Sequence, residues 1–331
     1  MTAPTETMQG GGIRLGDMRD LLRCPETGAP LTLREGRLVT PSHDRGYALS
    51  PSGIPLFGAD SASAEARIQQ THYDAIAKAY VENLAYPHTQ EYAASLDQAL
   101  LDALRDDQLG TVAEICCGRA EAFQLVPRRI ERGVGVDMSV AMLEAARREN
   151  PGDHLFFVQG DATRLPLASD AYDTAFMLGG IHHVPDRASL FAEVARILKP
   201  DGRFYFREPV SDFALWRWLR AVVYRLSPML DHETERPLLY RETAPLLEAA
   251  GLSLEHWTTH GFFGFCLFMN SDVLVVNRLL RFVPGIRCIA RLATRVDAAC
   301  LSLPFLRHAG LQVVGAARKR AGGAILPAPA G

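Results

Sequence analysis

The sequence predicts a doubly wound α/β fold, a mainly parallel sheet with helices on both faces. Between residues 110 and 210, short apolar segments alternate with helical patterns. The apolar segments are TVAEICC, GVGVD, LFFVQGD, YDTAFML and GRFYFRE, and helical patterns occupy residues 120–131, 139–149 and 187–198. Alternation of this kind is typical of parallel strands joined by right-handed helical crossovers. At 331 residues, the chain is also long enough to carry additions to one such domain.

The composition argues against a disordered chain and against a strongly basic nucleic-acid-binding protein. Apolar residues make up 48% of the chain and its net charge is −3, which is typical of a globular protein and does not favour bulk nucleic-acid binding. Six scattered cysteines form no disulfide framework and no secretion signal is recognisable, so we expect a reducing, cytoplasmic setting. Residues 278–320 carry nine Lys or Arg and a single acid, Asp297, which predicts a basic patch.

The chain before the α/β region divides into three parts. Residues 1–12 are expected to be a disordered tail, and residues 13–60 read as a small β-rich module of hairpins broken by Pro and Gly. Residues 61–109 read as a helical cap with a break near Pro87. The main domain is placed at residues 110–320, followed by a flexible tail at 321–331.

The segment TVAEICCGRAEAF is the best candidate for a ligand-binding turn. Ligands of doubly wound sheets bind beyond the carboxyl ends of the strands, where a tight turn needs small residues. Gly118 supplies one glycine, while Cys116 and Ala120 stand where others are expected. Asp137 follows Gly118 by nineteen residues and closes the next strand, and Asp161 closes the third. Both acids could instead cap the helices that follow.

Taken together, residues 110–210 resemble the class I S-adenosylmethionine-dependent methyltransferases, in particular the ubiquinone and menaquinone type and related small-molecule enzymes. The segments VAEICCGRA, GVDMS, GDATRLPLASDAYDTAF, LGGIHHVPD and ILKPDGRFYFREP carry the resemblance. It implies a Rossmann-like methyltransferase sheet, S-adenosylmethionine as cofactor and direct in-line displacement at its methyl group. The cofactor-binding residues that it implies are Tyr73, Tyr80, Glu114, Cys116, Cys117, Gly118, Asp137, Met138, Gly160, Asp161, Ala162 and Leu178.

Within that resemblance, Glu114 would face the methionine ammonium group, Asp137 the ribose hydroxyls and Asp161 the adenine amino group. Tyr73 and Tyr80 match an aromatic helix that closes over the cofactor, with a plain core role as the alternative.

The module at residues 13–60 resembles the zinc-ribbon module of Trm112-like proteins in its LLRCP start and GIPLF end. The metal positions of that pattern fall on Cys24, Thr27, Thr40 and His43. Because tetrahedral zinc needs four good ligands, we expect no metal here and a degenerate module held together by its apolar residues.

Three residues are candidates for catalysis. His182 and His183 follow the fourth strand, and Glu208 ends the fifth. Adjacent residues of an extended chain point apart, so we expect at most one of the two histidines to face the substrate. A general base and a structural role both stay open for them.

The methyl acceptor is expected beneath insertions at residues 209–240 and 261–308, which would form a lid. The predicted pocket residues are Trp216, His232, Tyr240, His260 and Phe263, an aromatic set suited to a lipophilic or aromatic metabolite of quinone, lipid or natural-product biosynthesis. The alternative is that the insertions cover the core or form a homodimer interface. Residues 278–295 could contact anionic lipid as an interfacial helix.

Three functions follow in order of preference. The first is methylation of a small molecule, the second is methylation of RNA or protein, and the third is a non-catalytic partner protein of the same fold. Retention of Asp137 and Asp161 weighs against the third, and no nucleic-acid partner is expected. The identity of the acceptor atom does not follow from the sequence.

Overall fold

The computed structural model describes residues 20–42, 44–58, 85–105, 108–218, 236–269 and 277–321. Its strands are β1 (Thr32–Arg34), β2 (Arg37–Val39), β3 (Gly46–Ala48), β4 (Gly110–Ile115), β5 (Ile130–Asp137), β6 (Leu155–Gln159), β7 (Tyr172–Leu178), β8 (Leu198–Pro209), β9 (Leu252–His260) and β10 (Gln312–Lys319). Its α-helices are α1 (Pro87–Ala103), α2 (Glu121–Leu125), α3 (Val140–Glu149), α4 (Arg187–Ile197), α5 (Tyr240–Ala249), α6 (Phe263–Phe268), α7 (Asn277–Leu280) and α8 (Ile286–Leu301). A 3-10 turn occupies Ile181–His183.

The predicted doubly wound sheet is confirmed. Seven strands lie in the order β6-β5-β4-β7-β8-β10-β9, and every pair from β6 to β8 is parallel. The chain moves outward from β4 to β6 and then returns to the other side of β4 with β7. The strand order therefore reverses between β4 and β7, which is where sheets of this class bind ligands.

The last strand is the one exception to the parallel arrangement of the sheet's neighbouring strands in the described residues. β10 lies between β8 and β9 and runs antiparallel to both. The register aligns Gln312 with both His260 and Pro209, so β9 ends and β10 begins at the same edge of the sheet. The chain between them is therefore a long hairpin connection and not a crossover, and it stands at the carboxyl edge of the parallel strands.

Helix boundaries follow local chemistry. Ser139 caps α3 by accepting a hydrogen bond from the Met142 amide, and Pro87 opens α1 at a position where no amide donor is needed. The helix predicted for residues 120–131 is wrong in length, because it ends at Leu125, two residues before Pro127. Proline cannot continue a helix since it lacks the amide hydrogen.

The N-terminal module forms the small three-stranded antiparallel sheet β1-β2-β3. Its chain then runs along the edge strand β6, where the Phe57 amide donates to the Gln159 carbonyl and the Gln159 amide to the Pro55 carbonyl. Leu21, Tyr47 and Phe57 are buried in the same core cluster as residues of β4 to β8. The module therefore covers an exposed sheet edge and shares the core of the main domain.

Cys24 and Thr40, two of the four positions that correspond to metal ligands in that resemblance, make ordinary polar contacts. The Cys24 sulfur lies 3.1 Å from the Tyr47 hydroxyl, and the Thr40 hydroxyl donates to Asp44. His43 lies outside the described residues. Among those that are described, no group of three or more His, Cys, Asp or Glu side chains could hold a metal ion. The likeness to Trm112 stays a prediction.

Two further clusters complete the core. One joins α1, α2 and α3 to the second face of the sheet, and the other joins α1 to the connection between β9 and β10. The strands are thus buried on both faces, as a parallel sheet requires. Within the described residues, no helix has the length and apolar character needed to cross a membrane.

Candidate functional site

The turn after β4 holds three residues in left-handed backbone conformations. Cys116, Gly118 and Ala120 have φ angles of 50°, 51° and 63°. Glycine adopts this conformation freely, whereas it costs a residue with a Cβ atom about 1–2 kcal/mol. A Cβ atom on Gly118 would meet nothing within 4 Å, so the space beside the turn is open. The turn therefore has the left-handed backbone conformations that are typical of glycine-rich ligand loops. Two of the three left-handed residues, Cys116 and Ala120, are not glycine.

Asp137, at the end of β5, fixes this turn. One carboxylate oxygen accepts a hydrogen bond from the Gly118 amide at 2.8 Å, and the other accepts from the Ser139 amide at 2.9 Å. The Asp137 side chain is half-buried at this turn. The open turn and the acid beside it fit the ribose end of S-adenosylmethionine.

Glu114 lies behind the turn and is 1% exposed. Its two oxygens accept hydrogen bonds from the amides of Ala122, at 2.9 Å, and Phe123, at 3.2 Å. These amides open α2, where Ala120 provides no side-chain cap. Burial raises the pKa of Glu114 to about 8. The predicted contact with the methionine ammonium group stays a prediction, and the structure adds a helix-capping role.

The end of β6 carries the residues expected around the adenine ring. Asp161 is 7% exposed, and one of its oxygens accepts from the amide and the hydroxyl of Thr163, at 2.8 and 2.7 Å. The Gly160 amide donates to the Asp137 carbonyl at 3.0 Å, and Ala162 is buried. The turn after β6 is thereby held beside the Asp137 end of β5. Asp161 caps a turn and not a helix.

Three of the remaining predicted cofactor residues, Cys117, Met138 and Leu178, lie in or next to the same group of strand ends. Met138 follows Asp137, and its side chain lies beside Gly58 of the N-terminal module. Cys117 is buried, and Leu178 packs against the cluster that contains it. Burial raises the pKa of the Cys116 and Cys117 thiols well above the ordinary value, so both stay protonated and neither is an activated nucleophile. Tyr73 and Tyr80 lie outside the described residues.

The catalytic candidates form a hydrogen-bonded pair across β7 and β8. Glu208 is fully buried, and His182 Nδ1 lies 2.8 Å from its carboxylate. Glu208 also accepts from the amides of Gly180, at 2.7 Å, and Ile181, at 2.8 Å. Because a carboxylate only accepts hydrogen bonds, Nδ1 donates to it. The Nε2 atom of His182 is then the ring nitrogen that can accept a proton.

One expectation about the two histidines is wrong. Their ring centroids are 3.8 Å apart, so the side chains of His182 and His183 lie side by side and do not point apart. The reason is local backbone: the chain turns into a 3-10 helix at Ile181 and does not continue as a strand.

A cavity of about 480 Å³ lies at the carboxyl edge beyond β9, between α1 and α8. Its lining includes Tyr92, Thr258, His260, Thr294 and Asp297. The buried Nε2 atom of His260 has no hydrogen-bond partner among the described residues, and burial lowers the pKa of this histidine. A histidine with a lowered pKa therefore borders the cavity, and its Nε2 atom is a buried polar atom without a partner among the described residues.

Of the predicted substrate-pocket residues that the structure describes, one lines the cavity and three do not. His260 lines the cavity, whereas Trp216 is 3% exposed and donates its indole hydrogen to the Ala309 carbonyl. Phe263 is exposed and packs edge-on against Trp216, and Tyr240 packs in the same way against Trp257. His232 lies outside the described residues. Trp216 is thus a core residue that packs against the connection between β9 and β10.

Sequence reasoning missed Tyr92 and Asp297. Asp297 is 3% exposed and accepts hydrogen bonds from the amides of Phe262, Gly264 and Phe265 and from the Tyr92 hydroxyl. The signal available was its position as the lone acid of a basic segment. This carboxylate ties α1, α6 and α8 together around the cavity.

Residues 113–206 match the family model of the methyltransferase domain. Together with the sheet order, this match identifies a class I S-adenosylmethionine-dependent methyltransferase domain in the chain.

Three relatives illustrate the likeness. The chain is 23% identical to a demethylmenaquinone methyltransferase of Lactiplantibacillus plantarum, over 46% of the chain and 73% of that protein. It is 28% identical to the 27-O-demethylrifamycin SV methyltransferase of Amycolatopsis mediterranei, over 43% and 57%. The crystal structure of the [4+2]-cyclase SpnF shares the fold with a TM-score of 0.56 at 17% identity, over 78% of the chain and 97% of SpnF. The chain spans about half the length, 49–57%, of four of the first curated relatives that it matches.

Proposed function

We propose that the protein is an S-adenosylmethionine-dependent methyltransferase whose acceptor is a small lipophilic or aromatic metabolite. The observation that carries this proposal is the left-handed turn from Cys116 to Ala120, held by Asp137 at the point where the strand order reverses. A backbone wound in this way, at cost to two residues with Cβ atoms, is expected where a ligand must approach closely. The names of the two curated relatives, which methylate a quinone precursor and a rifamycin, agree with a small acceptor.

The chemistry requires alignment more than activation of the donor. S-adenosylmethionine, when bound, supplies a methyl group made electrophilic by its sulfonium charge. The protein then has to hold the acceptor in line, exclude water and remove the proton that a hydroxyl acceptor loses. His182 Nε2 would take that proton, and Glu208 is the positioning residue that holds the ring in the required tautomer.

The cavity beyond β9 is the proposed acceptor site. Glu208 pairs with Val313, which pairs with Thr259 at the cavity wall, so two strand spacings of about 4.8 Å separate the dyad from the cavity. Both lie at the same edge of the sheet, beneath the connection between β9 and β10. A volume of about 480 Å³ suits a small metabolite, and His260, whose pKa is lowered by burial, suits an uncharged one.

The first experiment is a calorimetric titration of the full chain with S-adenosylmethionine and S-adenosylhomocysteine. We expect micromolar binding, weakened at least tenfold by Asp137→Asn and unchanged by Asp153→Asn, a matched exposed aspartate. A folded wild-type protein that binds neither compound would refute the proposal.

Acceptor chemistry is tested separately, by incubating phenols and quinols with the cofactor and following methylation by mass spectrometry. For an active hydroxyl acceptor, His182→Gln should lower kcat by about a hundredfold or more while cofactor affinity stays constant. His183→Gln is the matched control and should lower kcat much less. Equal losses in the two variants would contradict the assignment of the base to His182.

A further inference from the structure

The connection between β9 and β10 exposes an unusual amount of apolar surface. Eight of the thirteen exposed large hydrophobic residues in the described chain fall between residues 279 and 305. They are Leu279, Phe282, Val283, Ile289, Leu292, Val296, Leu303 and Phe305. Phe282 is 69% exposed and Phe305 is 77% exposed. Single exposed apolar residues are normal, but a concentration in one segment marks an interaction surface.

Helix α8 arranges this surface in three longitudinal sectors. At about 100° per residue, its side chains fall on a buried side, an arginine side and an exposed apolar side. The buried side comprises Ile286, Ala290 and Asp297; the arginine side comprises Arg287, Arg291 and Arg295; the apolar side comprises Ile289, Leu292 and Val296. A helix that only covered a core would need the first sector alone. We call the apolar and arginine sectors, with Phe282 and Phe305 at their ends, the docking face.

The charge of the docking face selects its partner. Arg287 and Arg291 share a single acid, Glu91 of α1, at 3.4 and 3.2 Å, so this group of three ions keeps a net positive charge. The only acid between residues 278 and 320 is Asp297, which is 3% exposed and accepts hydrogen bonds from buried donors. The face therefore offers apolar side chains and cations but no exposed acid of its own segment.

We propose that the docking face binds the surface of an anionic lipid membrane. An interfacial helix of this type lies in the plane of the membrane surface. Its apolar side chains are buried between the lipid headgroups and the acyl chains, and its flanking arginines contact lipid phosphates. A second copy of the chain is a poorer partner, because a two-fold contact at this face would bring arginines together without acids to pair with them. The same helix lines the proposed acceptor cavity with Thr294 and Asp297, so a docked protein would hold that cavity next to the lipid. This last point rests on the proposed function, whereas the docking does not.

The test is co-sedimentation of the full chain with vesicles, without cofactor or acceptor. Binding is expected with equal parts of phosphatidylcholine and phosphatidylglycerol, and weaker binding with phosphatidylcholine alone or at high salt. Leu292→Ser should weaken binding about tenfold and Arg295→Gln about fivefold. Leu215→Ser, which removes an exposed leucine outside the docking face, is the matched control and should bind as the wild type does.

Three results would overturn the proposal. The first is absence of binding to anionic vesicles by a folded protein, and the second is an equal loss in Leu292→Ser and Leu215→Ser. The third is a dimer in analytical ultracentrifugation that Leu292→Ser dissociates while vesicles are not bound, which would assign the face to a second copy. Because all substituted side chains are exposed, thermal unfolding should match the wild type and exclude misfolding. Calorimetric cofactor binding, measured in parallel, is expected to be unaffected, so failure of docking and failure of the proposed function are distinguishable.

Discussion

Replacement of Glu208 by glutamine tests the core of the catalytic assignment without knowledge of the acceptor. The carboxylate is fully buried and accepts hydrogen bonds from three backbone amides, those of Gly180 at 2.7 Å, Ile181 at 2.8 Å and His182 at 3.3 Å, and from His182 Nδ1 at 2.8 Å. In Glu208→Gln, the amide oxygen can keep the bonds from Gly180 and Ile181. The amide nitrogen takes the place of the other oxygen and is a donor, so it faces two groups that donate in the wild type, the His182 amide and His182 Nδ1.

The hydrogen bonds of Glu208 determine how far the free energy of unfolding should fall in Glu208→Gln. Hydrogen bonds to a charged group contribute about 1.5–3 kcal/mol each. The variant loses the long bond from the His182 amide, replaces the bond from Nδ1 by a neutral one, and removes the charge that strengthens the others. We expect the free energy of unfolding to fall by about 2–4 kcal/mol, which lowers Tm by about 4–10 °C in a domain of this size. Glu248→Gln is the control, because Glu248 is partly exposed, pairs with Arg320 at the surface and accepts a long hydrogen bond, 3.4 Å, from the Leu254 amide. Its effect should be below about 0.5 kcal/mol.

The tautomer of His182 is the more specific readout. In the wild type, the ring proton resides on Nδ1 because Glu208 accepts it. With glutamine at 208, Nδ1 must accept, so the proton moves to Nε2, and the nitrogen proposed as the base becomes a donor. Nitrogen NMR of the imidazole distinguishes the two tautomers, and kcat should fall with the exchange. A stable variant with an unchanged His182 tautomer would refute the account of this dyad.

Two further predictions concern the residues behind the cofactor turn. A Cβ atom on Gly180 would lie 2.6 Å from the Cys116 Cβ and 2.8 Å from the Met177 methyl carbon, so Gly180→Ala should destabilise the fold by about 1–3 kcal/mol. Cys116→Gly should recover about 1 kcal/mol of that loss in a double-mutant cycle by chemical denaturation, and strict additivity would show that the two residues do not compete for space. Burial raises the pKa of Glu114 from 4.5 to about 8, so the folded protein retains a proton that the unfolded chain releases. The free energy of unfolding should therefore fall by up to about 4 kcal/mol as pH rises from about 4.5 to 8. Glu114→Gln should flatten that profile, and an unchanged slope would assign it to other groups.

The parts of the fold that the sequence predicts are those decided within a few neighbouring residues. Ser139 before an apolar helical pattern predicts the start of α3, and the nineteen-residue spacing from Gly118 to Asp137 predicts that both meet at the sheet edge. Pro127 also predicts that α2 ends early, because proline lacks the amide hydrogen that a helix needs. The helical pattern of residues 120–131 alone does not show this.

Other features depend on distant parts of the chain and could not be predicted. The histidines lie side by side because Glu208, from another strand, draws the amides of Gly180 and Ile181 into a 3-10 turn. The antiparallel direction of β10 is set by the position of a fifty-residue connection at one edge of the sheet. Asp297 gains its role only when α1 and α6 place donors around it.

The turn from Cys116 to Ala120, the proposed cofactor turn, adopts its left-handed conformations with a single glycine, Gly118. A bulky residue at position 116 needs both a left-handed backbone and room for its Cβ atom. That room is provided by Gly180, on the loop after β7, where a Cβ atom would lie 2.6 Å from the Cys116 Cβ. The absence of a side chain at Gly180 therefore makes room for Cys116 on the facing loop, and Gly118 lies next to open space. The Gly180 amide also donates to Glu208, which holds the proposed base His182. The room for the Cys116 side chain and the position of His182 therefore depend on the same residue. Substitutions in the cofactor turn should thus alter kcat as well as cofactor affinity.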